Sequence, residues 1–219
     1  MHLSFLLKLV LFTILTVSSS FANSTVTNSV VILALGDSLT AGYGLARDDS
    51  FPRQLENSLV NSGYPVTVIN AGVSGDTSAG GLARLEWALA GNPQIVIVEL
   101  GANDALRGLD PAQTYDNLDQ ILVRLKKAGC RIVFAGMRAP RNLGIDYTFE
   151  FDQIYPDLAE RHDLYFYPFF LEGVATDPGL NQADGIHPNA EGVRVVVKGI
   201  QPLVIKAIEE VVDTKKRLE

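Results

Sequence analysis

Val30-Val31-Ile32-Leu33-Ala34-Leu35 runs straight into Gly36-Asp37-Ser38-Leu39. An aliphatic run with no polar interruption reads as a strand covered on both faces, the pattern of a parallel sheet. The glycine and small polar residues that follow read as a tight turn at the C-terminal end of that strand. In open α/β sheets this is the edge where ligands bind. Ser38 would there be held by a rigid strand with its hydroxyl facing a cleft, as a nucleophile requires. An ordinary turn or helix-cap serine fits the same residues.

Outward from this stretch, buried-strand and amphipathic-helix patterns alternate. Strands are expected at Val30–Leu35, Val66–Asn70, Ile95–Leu100, Arg131–Met137 and Leu164–Tyr167. Helices are expected at Phe51–Asn61, Gly80–Ala90, Ala112–Ala128, Tyr147–His162 and from Ala190 onward. Pro111 and Gly129 punctuate the third helix at its two ends. Pro202 is expected to break or kink the last one. The alternation predicts an α/β fold, with a mainly parallel sheet covered by helices on both faces and right-handed crossovers.

The chain has 219 residues and begins with a weakly cationic segment, an apolar run from Leu9 to Val17 and a small-residue end at Ser18-Ser19-Ser20-Phe21-Ala22. This is the pattern of a secretory signal peptide, so residues 1–22 are expected to be removed near Ala22. Residues 23–219 are then expected to form a single domain in the periplasm or outside the cell. The apolar run is shorter than the ~20 residues of a spanning helix. Cys130 is the only cysteine, so no internal disulfide can form, and it reads as a small core residue. A net charge of −7 argues against nucleic acid and anionic membranes as partners.

Each apolar strand is followed at once by a small polar cluster: Gly36-Asp37-Ser38, then Asn70-Ala71-Gly72-Val73-Ser74-Gly75-Asp76, then Gly101-Ala102-Asn103-Asp104. Parallel strands would bring all three to one edge. A general base is found by elimination among three histidines. His2 belongs to the leader, and His162 lies in a charged helix end where a cation is ordinary. His187 remains, in Asp184-Gly185-Ile186-His187-Pro188. In a compact turn, Asp184 can accept from Nδ1 of His187 while Nε2 faces away, ready to take a proton. A turn-capping aspartate beside a solvent-facing histidine fits the spacing equally. Donors for a developing oxyanion are available in the backbone N–H of Ser38, the backbone N–H of Gly75 and the side-chain amide of Asn103.

Gly36-Asp37-Ser38-Leu39, Gly75, Gly101-Ala102-Asn103-Asp104 and Asp184-Gly185-Ile186-His187-Pro188 resemble the four motif blocks of the SGNH hydrolases, or GDSL esterases and lipases, in order and separation. Within that family the chain most resembles the bacterial periplasmic thioesterase I/protease I/lysophospholipase L1 (arylesterase) group. That closer likeness rests on Gly75-Asp76-Thr77-Ser78, Gly81-Leu82-Ala83-Arg84-Leu85, Val98-Glu99-Leu100-Gly101 and Leu106-Arg107-Gly108. The resemblance implies a three-layer α/β/α sandwich around a five-stranded parallel sheet of flavodoxin-like order. It also implies Ser38 as nucleophile, His187 as base, Asp184 as its orienter, and Ser38, Gly75 and Asn103 as the oxyanion hole. The expected activity is hydrolysis of carboxylic esters, acyl thioesters and lysophospholipids, with no cofactor and no metal.

Two other functional classes share parts of this pattern. Asp37, Asp76, Asp104 and Asp184 near one sheet edge could be drawn as a metal site for phosphoester cleavage, although each also reads as a turn or cap acid. A flavodoxin-like nucleotide or flavin module is disfavoured because no G-x-G-x-x-G follows the first strand. Leu106, Leu109, Arg138 and Ile186 are candidate substrate-pocket residues, with Leu143 and Ile145 beside them. Arg107, Arg138 and Arg141 are either phosphate contacts or solvated surface charges. A monomer acting on small acyl substrates is the default expectation.

Overall fold

The computed structural model describes residues 29–218; the leader reading falls outside them. Five parallel strands form one sheet: β1 (Val30–Gly36), β2 (Val66–Gly72), β3 (Ile95–Glu99), β4 (Arg131–Ala135) and β5 (Tyr165–Tyr167). Their spatial order is β2-β1-β3-β4-β5. The order reverses between β1 and β3, which makes the edge there a topological switch point. Every residue of β3 is buried and β1 nearly so, as expected for central strands with helices on both faces. β2 alternates in exposure at one margin and β5 is short at the other.

The register determines where the chemistry lies. Gly36 pairs with Gly72 on one side and with Glu99 on the other; Glu99 pairs with Ala135, and Ala135 with Tyr167. These five strand ends form one level row. Everything immediately C-terminal to them therefore emerges side by side, although it is scattered along the chain.

The helices are α1 (Ser38–Ala41), α2 (Phe51–Asn61), α3 (Ser78–Ala83), α4 (Leu85–Ala88), α5 (Ala102–Leu106), α6 (Pro111–Lys127), α7 (Ile145–His162) and α8 (Ala190–Leu218). α2 packs with α8, whereas α3, α6 and α7 pack in sequence with one another. The apolar stripes of these helices close on the sheet, with Leu118, Ile121, Leu122 and Leu125 from α6 and Val193, Val196, Ile200, Val204 and Ile208 from α8 all buried. Asp110 caps α6 by accepting the Ala112 N–H at 2.9 Å, with Pro111 in the first turn.

Three local expectations are corrected. The residues after Gly36 form the short helix α1, capped by Asp37, instead of a simple turn. The helix expected over Gly80–Ala90 is divided: α3 starts at Ser78 and ends at Ala83, Arg84 caps it, and α4 begins at Leu85. Arg84 turns inward there, its Nε 2.5 Å from Asp76 Oδ2 and its Nη2 donating to the Gly36 carbonyl at 2.9 Å. That pull outweighs continuation of the helix. Finally, of the break or kink expected at Pro202, the break does not occur: α8 is one helix with Pro202 inside it. Pro202 is on the exposed side of α8, where the carbonyl it leaves unbonded can be hydrated, while buried Ile200 and Val204 hold both flanks on the core. α7 carries exposed Pro156 in the same way.

Candidate active site

Ser38 is the first residue of α1, directly beyond β1. Asp37 precedes it, fully buried, with Oδ1 accepting the Leu39 N–H at 2.9 Å and Oδ2 accepting Asn103 Nδ2 at 3.0 Å. Burial raises the Asp37 carboxyl from its ordinary 3.8 to about 6, against the opposing pull of the Leu39 N–H, of His187 and of Asn103. Glu99, fully buried at the end of β3, supports the same turn. Its Oε2 accepts the Thr40 hydroxyl at 2.7 Å and the Asp37 N–H at 3.3 Å.

His187 arrives from the loop before α8. Its Nε2 is 2.9 Å from Ser38 Oγ, a contact between residues 149 positions apart. Its Nδ1 is 2.7 Å from Asp184 Oδ2. The other oxygen of Asp184, Oδ1, accepts the backbone N–H groups of Ile186 and His187, each at 3.0 Å. The carboxylate is thus fixed by its own loop before it orients the ring. The hydrogen bond from His187, followed by those two backbone donors, holds the Asp184 carboxyl down at about 2. The Tyr43 ring lies against the imidazole, with centroids 4.7 Å apart.

Gly75 has φ +85, a conformation that favours glycine, and an added Cβ would lie 3.7 Å from Arg107 Nη2. The loop around it is gripped from α5 and its C-cap: Arg107 Nη2 donates to the Gly75 carbonyl at 2.7 Å, and Asn103 Nδ2 to the Asp76 carbonyl at 2.9 Å. The Asn103 amide therefore bridges the nucleophile turn and the Gly75 loop. Ser38, Gly75 and Asn103 all face one cavity of about 630 Å³.

Of the pocket residues expected from sequence, Leu106, Arg138 and Ile186 line this cavity. Leu109 does not; its carbonyl accepts the Tyr147 hydroxyl at 2.9 Å, so that loop is tied to α7. Leu143 and Ile145 are likewise outside the lining, and Ile145 is 86% exposed. Tyr43, Met137, Phe169 and Leu171 complete the apolar walls, and no local pattern marked them. Each arginine already has a partner: Arg107 the Gly75 carbonyl, Arg138 Glu172 and the Phe169 face, and Arg141 Asp152 at 2.8 Å.

The four aspartates drawn as a metal site are committed elsewhere. Asp37 serves Leu39 and Asn103, and Asp76 pairs with Arg84. Asp104 holds Ser78 and Thr114, and Asp184 holds His187. Among the described residues no cluster of three His, Cys, Asp or Glu side chains could hold a metal ion. His162 is buried against Asp119 at 2.7 Å, a tie between α7 and α6.

A hydroxyl, an imidazole and a carboxylate in one hydrogen-bonded line, at the switch-point edge of a parallel α/β sheet, is the arrangement of a serine hydrolase. The chain belongs to the GDSL-like lipase/acylhydrolase family, whose model matches residues 34–195. An arylesterase of Vibrio mimicus is 40% identical over 202 residues, spanning 92% of this chain and 98% of that one. The thioesterase 1/protease 1/lysophospholipase L1 of Escherichia coli K12 is 42% identical over 178 residues, 79% of this chain and 84% of that one. The crystal structure of AlinE4, an SGNH-hydrolase family esterase, superposes with a TM-score of 0.70 at 51% identity, covering 82% of this chain and 96% of that one. The SGNH-hydrolase fold expected from the motif blocks is therefore the fold observed.

Proposed function

We propose that this chain hydrolyses carboxylic esters and acyl thioesters through an acyl-enzyme on Ser38. His187 Nε2 takes the Ser38 proton as Oγ attacks the carbonyl carbon. Asp184 holds the imidazole in the tautomer that leaves Nε2 free to accept, and stabilises the imidazolium once it forms. The backbone N–H groups of Ser38 and Gly75 donate to the oxyanion, and Asn103 shares a hydrogen with it. His187 then returns the proton to the departing alcohol or thiol. Water repeats the sequence to release the acid and restore Ser38. No metal or cofactor enters either step.

The observation that supports this most is the unbroken Asp184–His187–Ser38 line, with contacts of 2.7 and 2.9 Å. The cavity beside it, with Leu106, Met137, Phe169, Leu171 and Ile186 among its walls, suits an acyl chain. Esters, acyl thioesters and lysophospholipids are the substrate classes that the names of the relatives suggest. We further propose that residues 1–22 form a cleaved leader and that residues 23–219 act as a single monomeric domain in the periplasm or outside the cell. Among the described residues no helix is long and apolar enough to cross a membrane.

The test is labelling with a fluorophosphonate followed by peptide mapping. Ser38 is expected to carry the adduct, and Ser38→Ala to lose both labelling and turnover of p-nitrophenyl butyrate while melting like the wild type. Modification of any other serine, or an active Ser38→Ala enzyme, would refute the assignment.

A further inference from the structure

Glu99 is the buried acid that the proposed mechanism leaves unused. It stands at the end of β3, level with Gly36 across the register, and none of it reaches solvent. One oxygen does all its bonding: Oε2 takes the Thr40 hydroxyl and the Asp37 N–H, whereas Oε1 has no hydrogen-bond partner among the described residues. The titratable and charged groups around it are Asp37 on the nucleophile turn, Tyr155 from α7 and Arg84 between α3 and α4. Tyr155 spends its hydroxyl on the Leu100 carbonyl. Arg84 pairs through Nε with Asp76 and through Nη2 with the Gly36 carbonyl. Although its Nη1 is, like Glu99 Oε1, buried without a partner among the described residues, no ion pair joins it to Glu99; the cation forms its ion pair with another acid.

A carboxylate so placed would lie out of water, with one charged oxygen unbonded and a second acid close by. That is the least favourable setting for the ionised form. A neutral carboxylic acid costs less there: Oε2 acts as the carbonyl oxygen accepting two donors, and the hydroxyl on Oε1, although it has no acceptor among the described residues, carries no charge to desolvate. Burial, followed by the charge of Asp37, acts in the same direction and pushes the Glu99 carboxyl well above its usual range. Gly36 leaves the room this requires, since an added Cβ would lie 2.0 Å from Thr40 Oγ1 and 2.5 Å from Glu99 Oε2.

We propose that Glu99 is a positioning residue that holds the nucleophile turn as a neutral carboxylic acid. The proposal rests on the reading of Ser38 as the nucleophile. Asp37 directly precedes Ser38 and Thr40 lies two residues after it, and a single oxygen clasps both. The backbone carrying Oγ is therefore tied to the neighbouring strand at two points. Because Glu99 adds no charge, the carboxylates that balance a His187 imidazolium are Asp184 and Asp37.

The test combines a direct readout with kinetics. Infrared spectra of the wild-type enzyme, taken at a pH well above the value of about 6 expected for Asp37, should show a protonated carboxyl carbonyl band that is missing in Glu99→Gln. Absence of that band from the wild type overturns the proposal, whatever the activity. Glu99→Gln, the neutral isostere, is expected to keep kcat within about threefold and to leave the acid limb of the kcat/KM profile in place. Glu99→Ala is expected to lower kcat about 10- to 100-fold with little change in KM, the cost of a loosened nucleophile. If Glu99→Ala does not fold, Thr40→Val, which removes one of the two clasped donors, should lower kcat in the same manner. A Glu99→Gln enzyme as impaired as Glu99→Ala, an acid limb displaced by about one pH unit or more, or a Thr40→Val enzyme with wild-type kcat would each overturn it. Failure of the Ser38 assignment would appear separately, as phosphonate labelling elsewhere with the infrared band intact.

Discussion

Replacing Asp184 by asparagine tests the proposed site through a single atom. In the native loop Asp184 Oδ1 accepts two backbone N–H groups, those of Ile186 and His187, and Oδ2 faces His187 Nδ1 at 2.7 Å. An asparagine has one acceptor oxygen and one donor nitrogen to distribute over those positions. Turning the nitrogen toward the backbone would oppose donor to donor twice; turning it toward the ring opposes nothing if the imidazole changes tautomer. The backbone therefore selects the second orientation. His187 would then carry its proton on Nε2, pointed at Ser38 Oγ, and could not accept the serine proton. Loss of this function in an otherwise intact triad corresponds to about 10⁴ in kcat, or ~5 kcal/mol of transition-state stabilisation. The loop keeps both Oδ1 bonds and the Asp184 side chain is 38% exposed, so the melting temperature should change little. Steady-state hydrolysis of p-nitrophenyl butyrate, with a thermal melt as control, provides the measurement. A folded Asp184→Asn enzyme retaining a tenth or more of wild-type kcat would show that the carboxylate does not set the tautomer.

Asn103→Ala should lower kcat by about 10²–10³, the usual loss for one oxyanion donor. It should also lower stability by about 1–3 kcal/mol, because Asp37 Oδ2 and the Asp76 carbonyl lose a shared partner; an unchanged denaturation midpoint would contradict the bridging role. Gly101→Ala should destabilise by about 2–5 kcal/mol, since φ is +111 there and the new Cβ would lie 2.1 Å from the Tyr155 hydroxyl; chemical denaturation reads this directly. Folding favours protonated Asp37, because its carboxyl is raised from 3.8 to about 6. Its contribution to stability is therefore complete below about 4 and lost as pH rises through about 6, by up to about 3 kcal/mol. Denaturation curves of wild type and Asp37→Asn should accordingly diverge across that interval, the wild type losing more; parallel curves would show that Asp37 does not titrate there.

Chain order and local periodicity were enough to place β1 to β5, the helices Phe51–Asn61, Pro111–Lys127 and Ile145–His162 to within two residues at each end, and a polar cluster beyond each of the first three strands. The same reading singled out Ser38, His187 and Asp184, because a serine after a buried strand and the only histidine in a D-x-x-H loop are visible in the chain itself. A strand covered on both faces must be apolar throughout, and a site at its end must begin where the apolar residues stop. Tertiary packing decided the rest. It leveled Gly72, Gly36, Glu99, Ala135 and Tyr167 into one row, so that Asn103 could bridge two loops. It drew Arg84 inward at the expense of a continuous helix, carried α8 through Pro202, and chose Tyr43, Phe169 and Leu171 as pocket walls while leaving Leu109 outside. Those outcomes depend on which side chains meet across separate elements, and a residue's neighbours in sequence carry no record of its partners in space.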